Sequence, residues 1–386
     1  MENRKHAIEI ADILRDNQHS FVNEHAFCAV QQKALYDIMT CRTSELGGHT
    51  LCCNHCHHQV QSYNSCRNRN CPKCQYVKRM QWVDKLSANL PAVKHFHIVF
   101  TIPSCLHGLF YMNQKVAYGL LFKAAGEALL KCARNIHYLG AQAGIVALLH
   151  TWGQTLTYHP HIHTIVPAGG LSEDGMEWIP SAKTFFVPVK VLSVVFRGIL
   201  CRLIHDGICQ HQIKLPDNLP DFETLKTRCY ANKWVVYAEK PFATPENLIR
   251  YLGNYTHRVA ISNHRIVNYS EGKVTFNYKD NKSGGTRKDM TLNVGEFIRR
   301  FVQHVLPSGF CKIRYFGFMA MCNRRSQLDL CFSLIQTTTC LSTLDGLQAS
   351  EVMWLLTGKD PSLCPKCNMG RFISHPVGRL LPVEPG

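Results

Sequence analysis

The sequence predicts an α+β fold: an antiparallel strand pair at the centre of a sheet, flanked by helices and preceded by a small helical, zinc-ribbon-like domain. Three observations carry this. Residues 95–102, 144–152 and 158–166 are β-branched and aromatic runs bounded by Gly or Pro, the signature of strands. Residues 26–40, 75–90, 106–134 and 189–206 show helical spacing. Between the first two helices lie two C-x2-C pairs, Cys53/Cys56 and Cys71/Cys74. The expected units are 1–90, helical and zinc-binding; 91–310, carrying the sheet; and 311–386, basic with another cysteine pair.

Composition sets the partners. The 386 residues are 46% hydrophobic, enough for a sizeable core in two or three domains. Lys and Arg number 43 against 27 Asp and Glu, a formal charge of +16. An excess spread along the whole chain points to a polyanion, most simply nucleic acid. Met1 to Asp16 has no apolar signal core, and no run approaches the roughly 18 apolar residues of a membrane span. A cytoplasmic protein with no membrane partner is therefore expected. In that compartment clustered cysteines read as thiolate ligands rather than disulfides.

Taken in order, residues 5–16 and 26–40 are helical, with Ala26, Val30, Ala34, Leu35 and Ile38 as one apolar stripe. The spacing of Cys53, Cys56, Cys71 and Cys74 fits a tetrahedral zinc cage, which would hold a segment too small for its own core. Cys41, His49, Cys52 and Cys66 are further ligand types nearby, so a second metal or another pairing stays open. Arg67, Arg69 and Lys73 lie among the ligands, followed by Lys78 and Arg79, and suit phosphate contacts.

The helix at 75–90 ends before Pro91, and the strand at 95–102 ends at Pro103. Residues 106–134 read as core helix. The strand at 144–152 turns at Gly153-Gln154 into Tyr158-His159-Pro160-His161-Ile162-His163-Thr164-Ile165-Val166. On a strand, alternate residues share a face. His159, His161 and His163 then point one way, with Ile162, Thr164 and Val166 behind. A helix at 189–206, a turn-rich link at 216–221 and a strand at 234–238 follow. A further helix is punctuated by Thr244 as N-cap, Pro245 and Glu246. It continues to Arg258 and carries Tyr251 and Tyr255 on one face. Short strands near 273–278 and 289–293, a helix at 295–305, the basic aromatic stretch Lys312 to Phe318 and a helix at 319–336 come next. Cys364-Pro365-Lys366-Cys367 in the tail is half a zinc site.

These pieces allow phosphodiester cleavage. A phenol is a poor nucleophile at neutral pH, its pKa being about 10. A metal on the scissile phosphate neutralises charge and orients phosphorus for in-line attack. Imidazole suits Zn, Fe, Ni or Cu, and two histidines plus one more ligand, with Mg2+ or Mn2+ as the catalytic cation, would leave positions open for that phosphate. His150 is the expected third ligand, because a hairpin about Gly153 places it beside His161. His159, Gln154 and His257 are the alternatives. Two tyrosines would permit two successive strand transfers, with Tyr251 preferred for the first attack. Arg250, Asn254 and Arg258 would position the phosphate.

His161-Ile162-His163 resembles the HUH motif of single-strand endonucleases. The sequence over about 10–375 is similar to two-tyrosine rolling-circle insertion-sequence transposases with an N-terminal zinc-binding domain. Cys41-Arg42-Thr43 with Leu46-Gly47-Gly48-His49 carries the resemblance, as do Tyr63 to Arg69 with Cys71 to Gln75. So do His150 to Leu156 running into His159 to His163, and Tyr251-Leu252-Gly253 with Tyr255 to Ser262. Asn70 departs from the family, which usually has His there. The resemblance implies a central antiparallel sheet with the HUH histidines on a middle strand. It also implies single-stranded DNA at element ends and targets as partner, and nicking and joining through a 5′-phosphotyrosine without ATP. A replication initiator or relaxase would share the chemistry. A non-catalytic zinc-ribbon DNA-binding regulator would share the cysteines but not need the tyrosines.

Overall fold

Five antiparallel strands build the central sheet, in the spatial order Ile313–Gly317, Gly144–Trp152, Tyr158–Pro167, His95–Thr101 and Val235–Ala238. They are β3 (His95–Thr101), β4 (Gly144–Trp152), β5 (Tyr158–Pro167), β8 (Val235–Ala238) and β12 (Ile313–Gly317). The structure is a computed structural model describing residues 8–20, 26–181, 186–239, 242, 260–280, 283–322, 324–337 and 341–377. The fold class is the expected one, and the histidine strand β5 is the middle strand.

Period-two alternation gives the sheet two different faces. Phe96, Ile98 and Phe100 of β3, Ile145, Ala147 and Leu149 of β4, and Ile162 and Val166 of β5 all point to one side. There they pack on the helices Gln114–Arg134 and Val189–Cys209, with the Phe100 and Phe196 rings 5.0 Å apart. The other face is divided. Val146, Leu148 and Ile165 pack under Leu86 of the helix Tyr76–Ala88, Leu90 just beyond it, and Leu328 and Phe332 of the helix Arg324–Ile335. The rest of that face carries the histidines.

A second antiparallel sheet, β9 (Ile266–Ser270), β10 (Lys273–Asp280) and β11 (Thr286–Asn293), buries Val274 and Phe276. They lie against Phe297, Ile298 and Phe301 of the helix Val294–Val302 and against Ile10, Ile13, Leu35 and Ile38 near the N-terminus. A third sheet, order β13-β1-β2, joins β1 (Gly48–Cys53) and β2 (Gln59–Tyr63) to β13 (Phe372–Val377), and a short ribbon pairs β6 (Gly169–Leu171) with β7 (Trp178–Pro180).

Two strands of the unit expected at 311–386 belong to different sheets. The stretch read as merely basic and aromatic is β12, paired with β4 from Ile313 opposite Leu148 to Gly317 opposite Gly144. Gly317 has φ 63, and a Cβ there would collide with the Ala143 carbonyl, so only glycine closes this edge. The tail strand β13 pairs with β1 at the other end of the chain, Cys53 opposite Phe372. The helix expected at 244–258 lies outside the described residues.

His304 is buried with both ring nitrogens engaged: Nδ1 lies 3.2 Å from Thr151 Oγ1 and Nε2 3.0 Å from the Leu156 carbonyl. Nε2–H donates to the carbonyl, so Nδ1 accepts from the hydroxyl, which fixes a neutral ring. Burial pushes its pKa down to about 4. The unfolded chain then binds the extra proton between roughly pH 6.5 and 4, so stability present above 6.5 is lost as pH falls through that window. Urea titrations across it should show His304→Gln losing about 3 kcal/mol less than wild type between the two limits. Parallel losses would mean that His304 is not held neutral.

Candidate metal centres

Two cysteine clusters and one histidine cluster come together among the described residues. The expected cage of Cys53, Cys56, Cys71 and Cys74 does not form; the structure divides it. Cys41, Cys66, Cys71 and Cys74 make one group, and Cys53, Cys56, Cys364 and Cys367 the other. The reason is the β1–β2 hairpin, in which Gly48 pairs with Tyr63 at the base and Cys52 with Gln59 near the tip. At about 3.3 Å per residue, strands of this length set the Cys53/Cys56 knuckle some 15 Å from the base, where Cys41 and Cys66 sit. β13 delivers the second knuckle to the tip, completing the half-site read at Cys364 and Cys367.

The thiol geometry fits zinc. Sulfurs of Cys53 and Cys367, and of Cys56 and Cys364, are 3.7 Å apart, as are those of Cys66 and Cys74. A tetrahedron with bonds of about 2.3 Å has edges of about 3.8 Å. Backbone N–H groups favour the thiolates. Cys56 N–H and His55 N–H point at Cys53 Sγ and lower its pKa, and Gly370 N–H lowers Cys367 to about 6. Hydrogen bonding with Cys66 draws Cys41 to about 7. Asn70 is buried and bonds through its backbone to Asn68 Oδ1; four cysteines complete the base cluster without it. No disulfide forms among the described residues.

The histidine cluster follows from strand register. His150 on β4 stands opposite His161 on β5, and His163 is two residues along the same face. The His150 ring centroid is 5.4 Å from that of His161 and 4.3 Å from that of His163, and the three ligand atoms lie within 4.8 Å of one another. His150 is buried, while His161 and His163 keep part of their surface open. Burial pushes His161 down to about 4 and holds His150 and His163 well below the ordinary range, neighbouring imidazoles adding to it. All three are therefore neutral at pH 7, as metal ligands must be.

Two rings are also oriented. His161 Nδ1 donates to the His159 carbonyl at 2.6 Å, leaving Nε2 its lone pair. His163 Nδ1 lies 2.8 Å from Nε2 of His97, whose Nδ1 is 3.3 Å from Glu239 Oε2. With one proton on each ring, a single arrangement satisfies this chain: His97 Nδ1–H donates to Glu239, and His163 Nδ1–H donates to His97. His163 Nε2 is then the ligand atom. The hydrogen bond with His97 holds the Glu239 carboxyl below its usual range. His97 and Glu239 were not singled out in the sequence. The only signal was His97 in the alternation of β3, and its partner lies 142 positions away. His159, the alternative ligand, stacks edge-on against His107 and is not in the cluster. Gln154 sits at the hairpin turn, its carbonyl held by Arg265 at 2.7 Å.

Of the residues expected at phosphate, Arg69 donates to the Phe310 carbonyl at 2.6 Å and Lys73 pairs with Glu9 at 2.7 Å. Both therefore make bonds within the protein. Arg67 lines an open cavity. Tyr251, Tyr255, Arg250, Arg258, Asn254 and His257 lie outside the described residues. Their flanks are described: Phe242 pairs with His95 at the start of β3, and Ala260 and Ile261 are buried near Leu156. No helix among the described residues is long and apolar enough to cross a membrane.

Comparison with known proteins shows the family. The family described as putative transposase matches residues 144–327, and the transposase zinc-binding domain matches 13–102. A putative transposase y4qJ of Sinorhizobium fredii is 39% identical over 375 residues, 95% of this chain and 94% of that one. The transposase for insertion sequence element IS801 of Pseudomonas savastanoi pv. phaseolicola is 31% identical over 306 residues, covering 75% and 70%. A metal-bound conjugative relaxase TrwC in complex with oriT DNA aligns at 10% identity and a TM-score of 0.25, over 65% of this chain and 96% of that one. That likeness is too slight to carry an argument.

Metal analysis should find two zinc ions per chain, with Cys71→Ser and Cys367→Ser each removing about one. Loss of the same single zinc by Cys53→Ser and Cys71→Ser, with Cys367→Ser unaffected, would restore the cage first expected. Separately, Glu239→Gln should weaken Mn2+ binding at the histidines by about 10- to 100-fold, the usual cost of losing an outer-shell partner. Unchanged affinity in a calorimetric titration would separate the Glu239–His97 chain from the metal site.

Proposed function

Because this chain belongs to the family of putative transposases that carry a transposase zinc-binding domain, we propose that it nicks and joins single-stranded DNA through a 5′-phosphotyrosine. The observation that carries the reading is the cluster of His150, His161 and His163 on the two middle strands of the central sheet.

The donor set fits a divalent cation: three neutral imidazoles, two with their outer nitrogens already bonded. Mg2+ or Mn2+ bound there would neutralise a phosphate oxygen and orient the phosphorus for in-line attack. His150, His161 and His163 would hold the cation, and the exposed part of His161 and His163 would face the scissile phosphate. His97 and Glu239 fix the His163 ring. The phenol oxygen of Tyr251 attacks phosphorus as its proton leaves. The bond from phosphorus to the 3′ oxygen breaks, leaving a free 3′-OH and a 5′-phosphotyrosine. Tyr255 can then cleave a second strand while the first stays attached. A 3′-OH attacking the phosphotyrosine restores the phenol and rejoins DNA.

The two zinc clusters are structural in this reading, and single-stranded DNA at element ends and targets is the partner. The zinc module and the relationship over nearly the whole chain favour transposition over plasmid replication or conjugation. Incubation of single-stranded element-end DNA with the protein and Mn2+ should give a covalent adduct stable to denaturation. Tyr251→Phe with Tyr255→Phe should abolish it, and so should His161→Ala with His163→Ala. An adduct surviving the double Phe change would place the nucleophile elsewhere. Loss in only one single variant would make this a one-tyrosine enzyme.

A further inference from the structure

A cavity of about 690 Å³ lies between the zinc module and the edge of the central sheet. This is within the range of pockets that enclose a ligand of nucleotide size. Its walls carry Lys33, Arg67, Arg69, Lys78 and Lys312, against one carboxylate, Asp37. That carboxylate is already neutralised: Lys33 Nζ approaches both its oxygens at 2.9 and 3.0 Å, and Asn68 Nδ2 donates to it at 2.7 Å. Among the described residues no carboxylate comes within ion-pair distance of Arg67, Lys78 or Lys312.

The walls are fixed before any ligand arrives. Asn68 also accepts from Asn70 N–H at 2.8 Å through Oδ1 and from Gln75 Nε2 at 2.8 Å through its carbonyl. Arg69 ties the knuckle to Phe310, which closes the Pro307-Ser308-Gly309 loop on the far wall. Lys312 opens the edge strand, its carbonyl accepting from Leu149 N–H, one residue before His150. Burial, then the charge of Arg69, pushes its ammonium down to about 7. A cation in that position gains from an anion.

We propose that this cavity holds a backbone phosphate of the bound DNA strand away from the reacting phosphate, with Arg67, Lys78 and Lys312 as its contacts. The site joins three parts of the fold: the base zinc cluster through Cys66, the helix Tyr76–Ala88 through Lys78, and the strand beside His150 through Lys312. A strand gripped there is registered against the histidines by one rigid wall. The zinc module therefore acts in DNA positioning as well as in folding. This rests on single-stranded DNA as the partner, but not on the tyrosine chemistry.

The test measures binding rather than cleavage, so its failure is distinct from failure of the proposed reaction. The zinc-loaded full chain is titrated with a fluorescein-labelled oligothymidylate at several salt concentrations. Each phosphate contact contributes about 0.7 to the slope of log K against log salt for a single strand. Lys78→Gln with Lys312→Gln should lower the slope by about 0.7, the share of one phosphate, and Lys78→Arg with Lys312→Arg should retain it. Lys123→Gln with Lys190→Gln, exposed on the two helices behind the sheet, should leave it unchanged. An unchanged slope in the first pair, or an equal fall in the control pair, overturns the site. Acetylation footprinting of the wild-type chain gives a second reading independent of any variant's folding. The oligonucleotide should protect Lys78 and Lys312, and equal modification with and without it overturns the proposal.

Discussion

The antiparallel register of β4 against β5 is the constraint on which the rest depends. Side chains on a strand alternate, so a slip of one residue would turn every histidine of β5 into the opposite face. The register is held from behind. Leu149 opposite Ile162 and Ala147 opposite Thr164 are fully buried on the helix-covered side. Burying a residue such as Ile162 contributes about 1.5–3 kcal/mol, and a slip would forfeit several such terms at once. The apolar core thus sets where His150 meets His161. The irregularity between His150 and Trp152 then lets the strand leave the sheet into the Gly153 turn. Bulges of this kind are common beside active sites.

The two cysteine clusters do different mechanical work. The base cluster gathers Cys41, Cys66, Cys71 and Cys74 from one short segment and braces a hairpin with little core of its own. The tip cluster joins Cys53 and Cys56 to Cys364 and Cys367, more than 300 residues later. Closing a loop of that length carries a large entropic cost, and zinc ligation supplies on the order of 10 kcal/mol or more against it. β13 adds its ladder to β1 in the same place. Residues 48–56 and 364–377 are therefore held together at the zinc module, and the sheet with the histidines lies between them in sequence. The cavity with Lys312 sits where these parts meet.

Much of this was legible because it is local. The alternation of 144–152 and 158–166 located two strands, and the Gly153 turn between them set a hairpin that put His150 beside His161. The Cys364/Cys367 pair was visible as half a site. Its partner was not, because a C-x2-C pair states two ligands and leaves the other two to tertiary structure. The β1–β2 hairpin, whose exposed strand Gln59–Tyr63 has no apolar alternation, separated the two knuckles that sequence spacing joined. β12 was hidden for a similar reason: Arg314, Tyr315 and Phe316 read as a basic aromatic surface until β4 supplies the partner. His97 and Glu239 meet only across the β3–β8 pairing, so neither has a signal in a single sequence.

The central claim is that His150, His161 and His163 share one cation on the open face of the middle strands. Anomalous diffraction at the manganese edge from crystals soaked in Mn2+ tests it most directly. The account predicts one peak among the three imidazoles, bonded to Nε2 of His161 and of His163, with open positions on the solvent side. A peak that involves His159 in place of His150, or no peak at the histidines while manganese binds elsewhere, would contradict it.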